Sequence, residues 1–264
     1  MIFKTIPFDT KISNAKFTAF VHDEDNSARP AVIVCPGGGY HFNSVREAEP
    51  VALYYYNAGM NAFLLRYSIS ENAANYTPLK EVAFAVKYVR ENAAELHTAP
   101  NKIVTCGFSA GGHLAASAGI LWNIPEVRDA LGITDGSAPE GINRPDGMIL
   151  SYPVITAGEY AHRGSINNLM GYNNYELSEA DKFSLELHVN EKTPPMFIWH
   201  TAADSAVKVE NSLFLATSLA KYKIPFELHV FPEGEHGLNL ALDFDGGAKA
   251  WAPLMIDWLK RMDY

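Results

Sequence analysis

The chain has 264 residues, of which 48% are hydrophobic and 19% charged, and its 30 acidic and 21 basic residues give a formal net charge of −9. A chain of this size buries a core without disulfide or metal support, and one α/β domain over 1–264 is expected. The acidic balance, unbroken by any Lys/Arg run, argues against a nucleic-acid or anionic-membrane partner, and no apolar run is long enough to span a bilayer.

The opening MIFKTIPFDT has no charged segment leading into an apolar one, so no secretory leader is read and a soluble, cytoplasmic protein is expected. Two amphipathic runs, 2–8 and 15–22, read as an antiparallel hairpin. Further strands are expected at 30–35, 61–67, 102–108, 147–153, 195–201 and 226–231, and helices at 46–58, 78–96, 110–122, 209–222 and 247–261. In the second helix Leu79, Val82, Ala83, Val86 and Val89 recur at helical spacing, a stripe that packs on a sheet and binds no ligand. Short apolar runs alternating with helices predict an α/β fold with an eight-stranded, mostly parallel sheet covered on both faces. Segments 123–146 and 156–193 exceed the usual connections of such folds and are expected to be lid-like insertions beside the site.

Cys35 and Cys106 end two β-branched runs. They are expected to be buried, reduced and close together at the ends of adjacent strands, with opposite sides of the sheet counting against that strand order.

Gly107-Phe108-Ser109-Ala110-Gly111 matches G-x-S-x-G. Chance supplies roughly 0.08 matches in a chain with this many serines and glycines, so context decides. A β-branched run precedes the motif and AGGHLAASAGIL begins a helix after it, the strand-turn-helix setting that exposes a nucleophile. A serine hydroxyl needs a base, and the base an orienting carboxylate. His236 lies in a Gly-flanked loop after the last strand and Asp204 just after the strand before it, so loops at the carboxyl ends of three strands can converge. His200 is expected to support the Asp204 loop and His113 to pack inward; His22, His97, His162, His188 and His229 have no matching partner.

CPGGGYHFNS follows the third strand, and its glycines can present amides to a developing oxyanion. Gly38, Gly39 and Ala110 are the expected donors, and Tyr40 and His41 are candidate substrate contacts. H-E-x-x-H, paired cysteines at zinc spacing and phosphate-loop signatures are all missing, so neither a metal nor a cofactor is expected.

From the third strand to the C-terminus the chain resembles the α/β-hydrolases of the esterase/lipase group that includes acetylxylan esterase-like and feruloyl esterase-like carbohydrate esterases. The resemblance rests on PGGGY (36–40), REAEPVA (46–52), LLRYS (64–68), GFSAGGHLAAS (107–117), SLE (184–186), TPPMFIWHTAADSAV (193–207) and EHGL (235–238). It implies Ser109 as nucleophile, Asp204 as triad acid and His236 as base. Pro36 stands where the wider group often has the His of H-G-G-G, which removes a side chain but no amide donor. Arg46 and Arg66 match positions of the resemblance, and ion pairs with Glu47 or Glu49 are their expected role.

The combined reading is a serine esterase acting on short acyl esters, with acetylated sugars or xylo-oligosaccharides the leading substrates. An amide or formamide hydrolase of the kynurenine formamidase kind, and a non-catalytic ligand receptor on the same fold, are the alternatives. The centre of the second insertion, 167–176, is rich in amides and tyrosines, which suits a wall for hydroxyl-rich ligands better than a grip on a long acyl chain.

Overall fold

The computed structural model describes residues 1–8, 15–25, 27–134, 136, 138–171 and 177–264. Eight strands form one sheet: β1 (Ile2–Ile6), β2 (Lys16–Val21), β3 (Arg29–Cys35), β4 (Asn61–Arg66), β5 (Thr98–Phe108), β6 (Gly147–Ser151), β7 (Met196–Thr201) and β8 (Phe226–Phe231). Their order is β1-β2-β4-β3-β5-β6-β7-β8. The β1–β2 and β2–β4 pairs are antiparallel and the other five are parallel, as the alternating pattern predicts.

Helices cover both faces because the central strands are apolar on both. Val32 and Val34 of β3 point into one layer and Ile33 and Cys35 into the other, the two-residue alternation of a strand. The Ile33 layer is closed by α2 (Thr77–Glu91), α3 (Ala110–Ile120) and α7 (Glu210–Lys221), and the Val32 layer by α1 (Glu49–Asn57) and α8 (Trp251–Arg261). Three shorter helices, α4 (Pro125–Ala130), α5 (Arg163–Met170) and α6 (Leu177–Ala180), lie in the two insertions. No helix of the described residues is long and apolar enough to cross a membrane.

Local chemistry moves three helix boundaries. The helix expected over 46–58 is broken at Ala48 (φ −99°, ψ −110°): a single 3-10 turn, Val45–Glu47, precedes α1, and Pro50 occupies the first turn of α1. The helix expected to reach 96 stops at Glu91, where both the amide and the side-chain Nδ2 of Asn92 donate to Tyr88 O. The last helix starts at Trp251, after a 3-10 turn over Gly247–Ala250.

Cys35 and Cys106 need a correction. Their strands are neighbours, but Cys35 is level with Gly107 and Val34 with Cys106, so the cysteines are one register step apart. Side chains alternate along a strand, and the two thiols therefore face opposite layers. Facing opposite ways says nothing against the strand order; a one-residue offset produces it. Both are buried free thiols, and burial pushes Cys35 well above the usual thiol range and Cys106 up to about 12.

Candidate active site

β5 ends at Phe108 and α3 begins at Ala110, leaving Ser109 alone at the bend with φ 55° and ψ −119°. The flanking glycines are dictated by contact. A Cβ on Gly107 would stand 1.9 Å from Gly111 O, and one on Gly111 would stand 2.2 Å from Cys35 O and 2.3 Å from Pro36 O. The backbone strain at Ser109, of order 1–3 kcal/mol, is held by its amide donating to Ser151 O at 3.0 Å and its carbonyl accepting from His113 N and Val154 N, each at 3.1 Å.

Loops after β7 and β8 bring Asp204 and His236 to this bend. His236 Nε2 lies 2.8 Å from Ser109 Oγ, and His236 Nδ1 lies 2.7 Å from Asp204 Oδ2. A carboxylate only accepts, so Nδ1 carries the proton and Nε2 is left to take one from Ser109. Asp204 Oδ1 accepts from the amides of Ala206 (3.0 Å) and Val207 (2.9 Å). His200, wholly buried, donates from Nε2 to Val207 O at 2.9 Å and lies 3.4 Å from Asp204 Oδ2, in the supporting place expected for it. Burial works against ionisation of Asp204, but hydrogen bonds from His200, His236 and the Val207 amide outweigh it and hold the carboxyl well below the usual carboxylate range.

The three loop glycines separate into different tasks. The Gly37 amide donates to Glu47 Oε2 at 2.9 Å. Gly37 O accepts from Ser44 N at 2.9 Å, and Gly38 O accepts from His41 N (2.9 Å) and Phe42 N (3.1 Å). In a trans peptide the N–H points opposite to the C=O, so these turns direct the amides of Gly38 and Gly39 away from the loop interior. Both glycines line the cleft that contains Ser109 and His236. Among the described residues nothing accepts from the amides of Gly38, Gly39 or Ala110. Gly38 (φ 129°) must be glycine, since a Cβ there would stand 2.0 Å from Phe42 O.

The cleft encloses about 410 Å³ between the His41–Arg46 loop, the start of α5 and the His236 loop. His41 is on its wall, with Nδ1 3.2 Å from Ser70 Oγ. Tyr40 is not. Its φ of 56° turns the side chain inward, where it is 1% exposed and its hydroxyl donates to His113 Nδ1 at 2.9 Å. Tyr40 thus props the glycine loop from beneath, together with Tyr67, whose hydroxyl donates to Pro36 O at 2.6 Å. A larger groove of about 600 Å³ around Asn43, Arg66 and Asn72 holds none of the Ser109–His236–Asp204 set.

His113 packs inward as expected, 1% exposed, with Nε2 donating to Phe183 O at 2.9 Å. Burial lowers its pKa from 6.5 to about 4. Below the ordinary histidine range the unfolded chain therefore binds a proton that the folded chain refuses, and stability falls with falling pH. Unfolding in urea is expected to cost about 2 kcal/mol less at pH 5 than at pH 7 from this group alone. His113→Gln should flatten that dependence; an unchanged slope contradicts the assignment.

Asn168, in the expected wall, and His162, which the sequence left without a partner, reach the cleft from α5 and its start. His162 Nδ1 accepts from the Ser165 amide at 3.3 Å and lies 2.8 Å from Ser165 Oγ, which puts the ring proton on Nε2. Burial lowers its pKa, nearby His236 lowers it further, and Asp204 opposes them. Asn168 Nδ2 donates to Gly39 O at 2.8 Å and clasps the glycine loop. Of the wall expected over 167–176, residues 172–176 lie outside the described residues. Arg66 pairs with Glu49 at 2.6 Å as expected, whereas Arg46 donates to Gly237 O at 2.8 Å and makes no ion pair with Glu47.

The BD-FAE family model matches residues 19–219. Endo-1,4-beta-xylanase B of Butyrivibrio fibrisolvens is 42% identical over 233 residues, 85% of this chain and 35% of that protein. The acetylxylan esterase of Xylanibacter ruminicola is 25% identical over 225 residues, 83% of this chain and 43% of that protein. The chain thus spans roughly two fifths of the length of these curated relatives. The solved acetyl ester-xyloside bifunctional hydrolase of Caldicellulosiruptor lactoaceticus superposes with a TM-score of 0.86 at 37% identity, covering 97% of this chain and 91% of that one. The carboxylesterase Cest-2923 of Lactobacillus plantarum gives 0.81 at 25% identity, covering 100% and 98%. With a family match over most of its length and whole-chain likeness to a solved hydrolase, the chain belongs to the BD-FAE family and is an α/β-hydrolase of the esterase group.

Proposed function

We propose that the chain is a serine esterase that removes short acyl groups, acetyl foremost, from sugars or xylo-oligosaccharides. The observation that carries this reading is the unbroken hydrogen-bond chain Asp204–His236–Ser109 ending beside the unengaged amides of Gly38, Gly39 and Ala110. Ser109 Oγ attacks the ester carbonyl while His236 Nε2 takes its proton. Asp204 steadies the imidazolium, and the amides receive the oxyanion. As the C–O bond breaks, the imidazolium gives that proton to the departing sugar oxygen, which leaves as a hydroxyl. Water, deprotonated by the same nitrogen, then releases the acyl group from Ser109 and restores the serine.

The acetyl-xylan chemistry in the names of the similar proteins supports the substrate class. So do the polar groups on the α5 side of the cleft, His162 Nε2–H and Asn168, which suit hydroxyl-rich leaving groups. A cleft of about 410 Å³ has to hold the acyl and the alcohol moieties together, so a long alkyl chain finds little room there even though Phe42 gives it some apolar surface. The kcat/KM for p-nitrophenyl esters is therefore expected to fall about tenfold or more from acetyl to octanoyl. Acetylated xylo-oligosaccharides should release acetate with Ser109 intact. A preference for octanoyl esters, or for N-formylkynurenine over every acetate tried, contradicts the assignment.

A further inference from the structure

Glu47 is a carboxylate 5% exposed, and the chemistry proposed above leaves it unused. Its partners are uncharged. Oε2 accepts from the Gly37 amide at 2.9 Å and Oε1 from the Tyr152 hydroxyl at 2.6 Å. The Tyr152 oxygen in turn accepts from the Asn239 amide at 2.9 Å, and the Tyr152 ring meets His236 edge-on, with centroids 5.0 Å apart. From the same 3-10 turn Arg46 donates to Gly237 O at 2.8 Å. One turn therefore grips the glycine loop and the chain just after His236, at Gly237 directly and at Asn239 through Tyr152.

Burying a carboxylate costs free energy that an apolar side chain would not incur, so filling space does not explain the residue. Tyr152 is also held in a backbone conformation unusual for its type (φ 37°), at the end of β6, where its hydroxyl can meet both Glu47 and Asn239. We propose that Glu47 is a positioning residue that fixes the oxyanion loop and the His236 loop in one mutual geometry. The proposal rests on the esterase reading. Oxyanion donors work only within a few tenths of an ångström of their target, and His236 must at the same moment reach Ser109. One carboxylate, holding Gly37 directly and Asn239 through Tyr152, sets both. Glu47 lines the cleft, but each of its oxygens is engaged by a protein donor, and the role assigned to it runs through these loops.

The test uses Glu47→Gln, Tyr152→Phe, their combination and Ser109→Ala, assayed with p-nitrophenyl acetate alongside urea unfolding. Glutamine keeps the size of Glu47 and can still accept from the Gly37 amide, but its NH₂ then faces the Tyr152 hydroxyl, which has to give up donating and accept a second hydrogen bond beside the one from Asn239. Glu47→Gln is expected to lower kcat on the order of 10- to 100-fold with KM within about threefold. Tyr152→Phe, which removes only the hydroxyl, should do the same and covers the case in which Glu47→Gln fails to fold. The double variant should be no slower than the slower single one, because each cuts the same link. A folded Glu47→Gln enzyme with wild-type kcat overturns the proposal. So do a rise in KM alone, which marks a substrate contact, and fully additive losses. Ser109→Ala separates the two levels: activity surviving there refutes the esterase reading itself, whereas an inactive Ser109→Ala beside a full-speed Glu47→Gln refutes only this inference.

Discussion

Replacing Ser109 with alanine is expected to lower kcat for p-nitrophenyl acetate by about 10⁵- to 10⁶-fold and to leave the fold intact. The change deletes one oxygen whose side-chain partner is His236 Nε2 at 2.8 Å. The backbone bonds that hold the bend, from Ser109 N to Ser151 O and into Ser109 O from His113 and Val154, do not involve that oxygen. Alanine carries the same Cβ, so the positive-φ strain is common to both and the unfolding free energy should move little. What survives is the weak assistance of the oxyanion amides to attack by water. Steady-state rates combined with urea titrations check both halves of the expectation, and substantial turnover in a folded Ser109→Ala enzyme removes the proposed nucleophile.

Asp204→Asn is expected to cost about 10⁴-fold in kcat. Asp204 Oδ1 is fixed by two amide donors, Ala206 N at 3.0 Å and Val207 N at 2.9 Å. In the variant these donors keep the amide oxygen in that place, which forces the NH₂ into the position facing His236 Nδ1. An NH₂ donates, so Nδ1 must accept and the ring proton moves to Nε2, the nitrogen that has to receive the Ser109 proton. The wild-type carboxyl is held well below the usual carboxylate range, so it stays ionised throughout assay conditions. The acid limb of the wild-type rate profile should then not report Asp204. Wild-type rates in Asp204→Asn point to another carboxylate as the orienting group, with Glu233 and Glu235 on the His236 loop the first to examine.

The strands were legible because each is an apolar, largely β-branched or aromatic run between turn residues, and all eight appear in the sheet. That Ser109, Asp204 and His236 meet was legible because each sits just past a strand end, where a regular sheet does the positioning. Features set by a single dihedral or register step were not legible. One positive φ buries Tyr40 under the loop, and one step of register sends Cys35 and Cys106 to opposite layers. His162 sits in a long insertion whose path depends on tertiary packing and has no partner at a recognisable spacing, whereas Asn168 falls in the stretch its amides marked as a wall. Glu47 stands beside Arg46 in sequence, which suggests an ion pair; the fold takes the two side chains to different loops.

Labelling with an organophosphonate that carries a p-nitrophenolate leaving group tests the central claim most directly, because such a reagent modifies only a serine activated by its base and held beside oxyanion donors. Release of p-nitrophenolate should match loss of esterase activity mole for mole, and peptide mapping should place the single phosphonyl group on Ser109, with no labelling of Ser109→Ala. Full esterase activity in phosphonylated protein, or a stoichiometric adduct on any other residue, would contradict it.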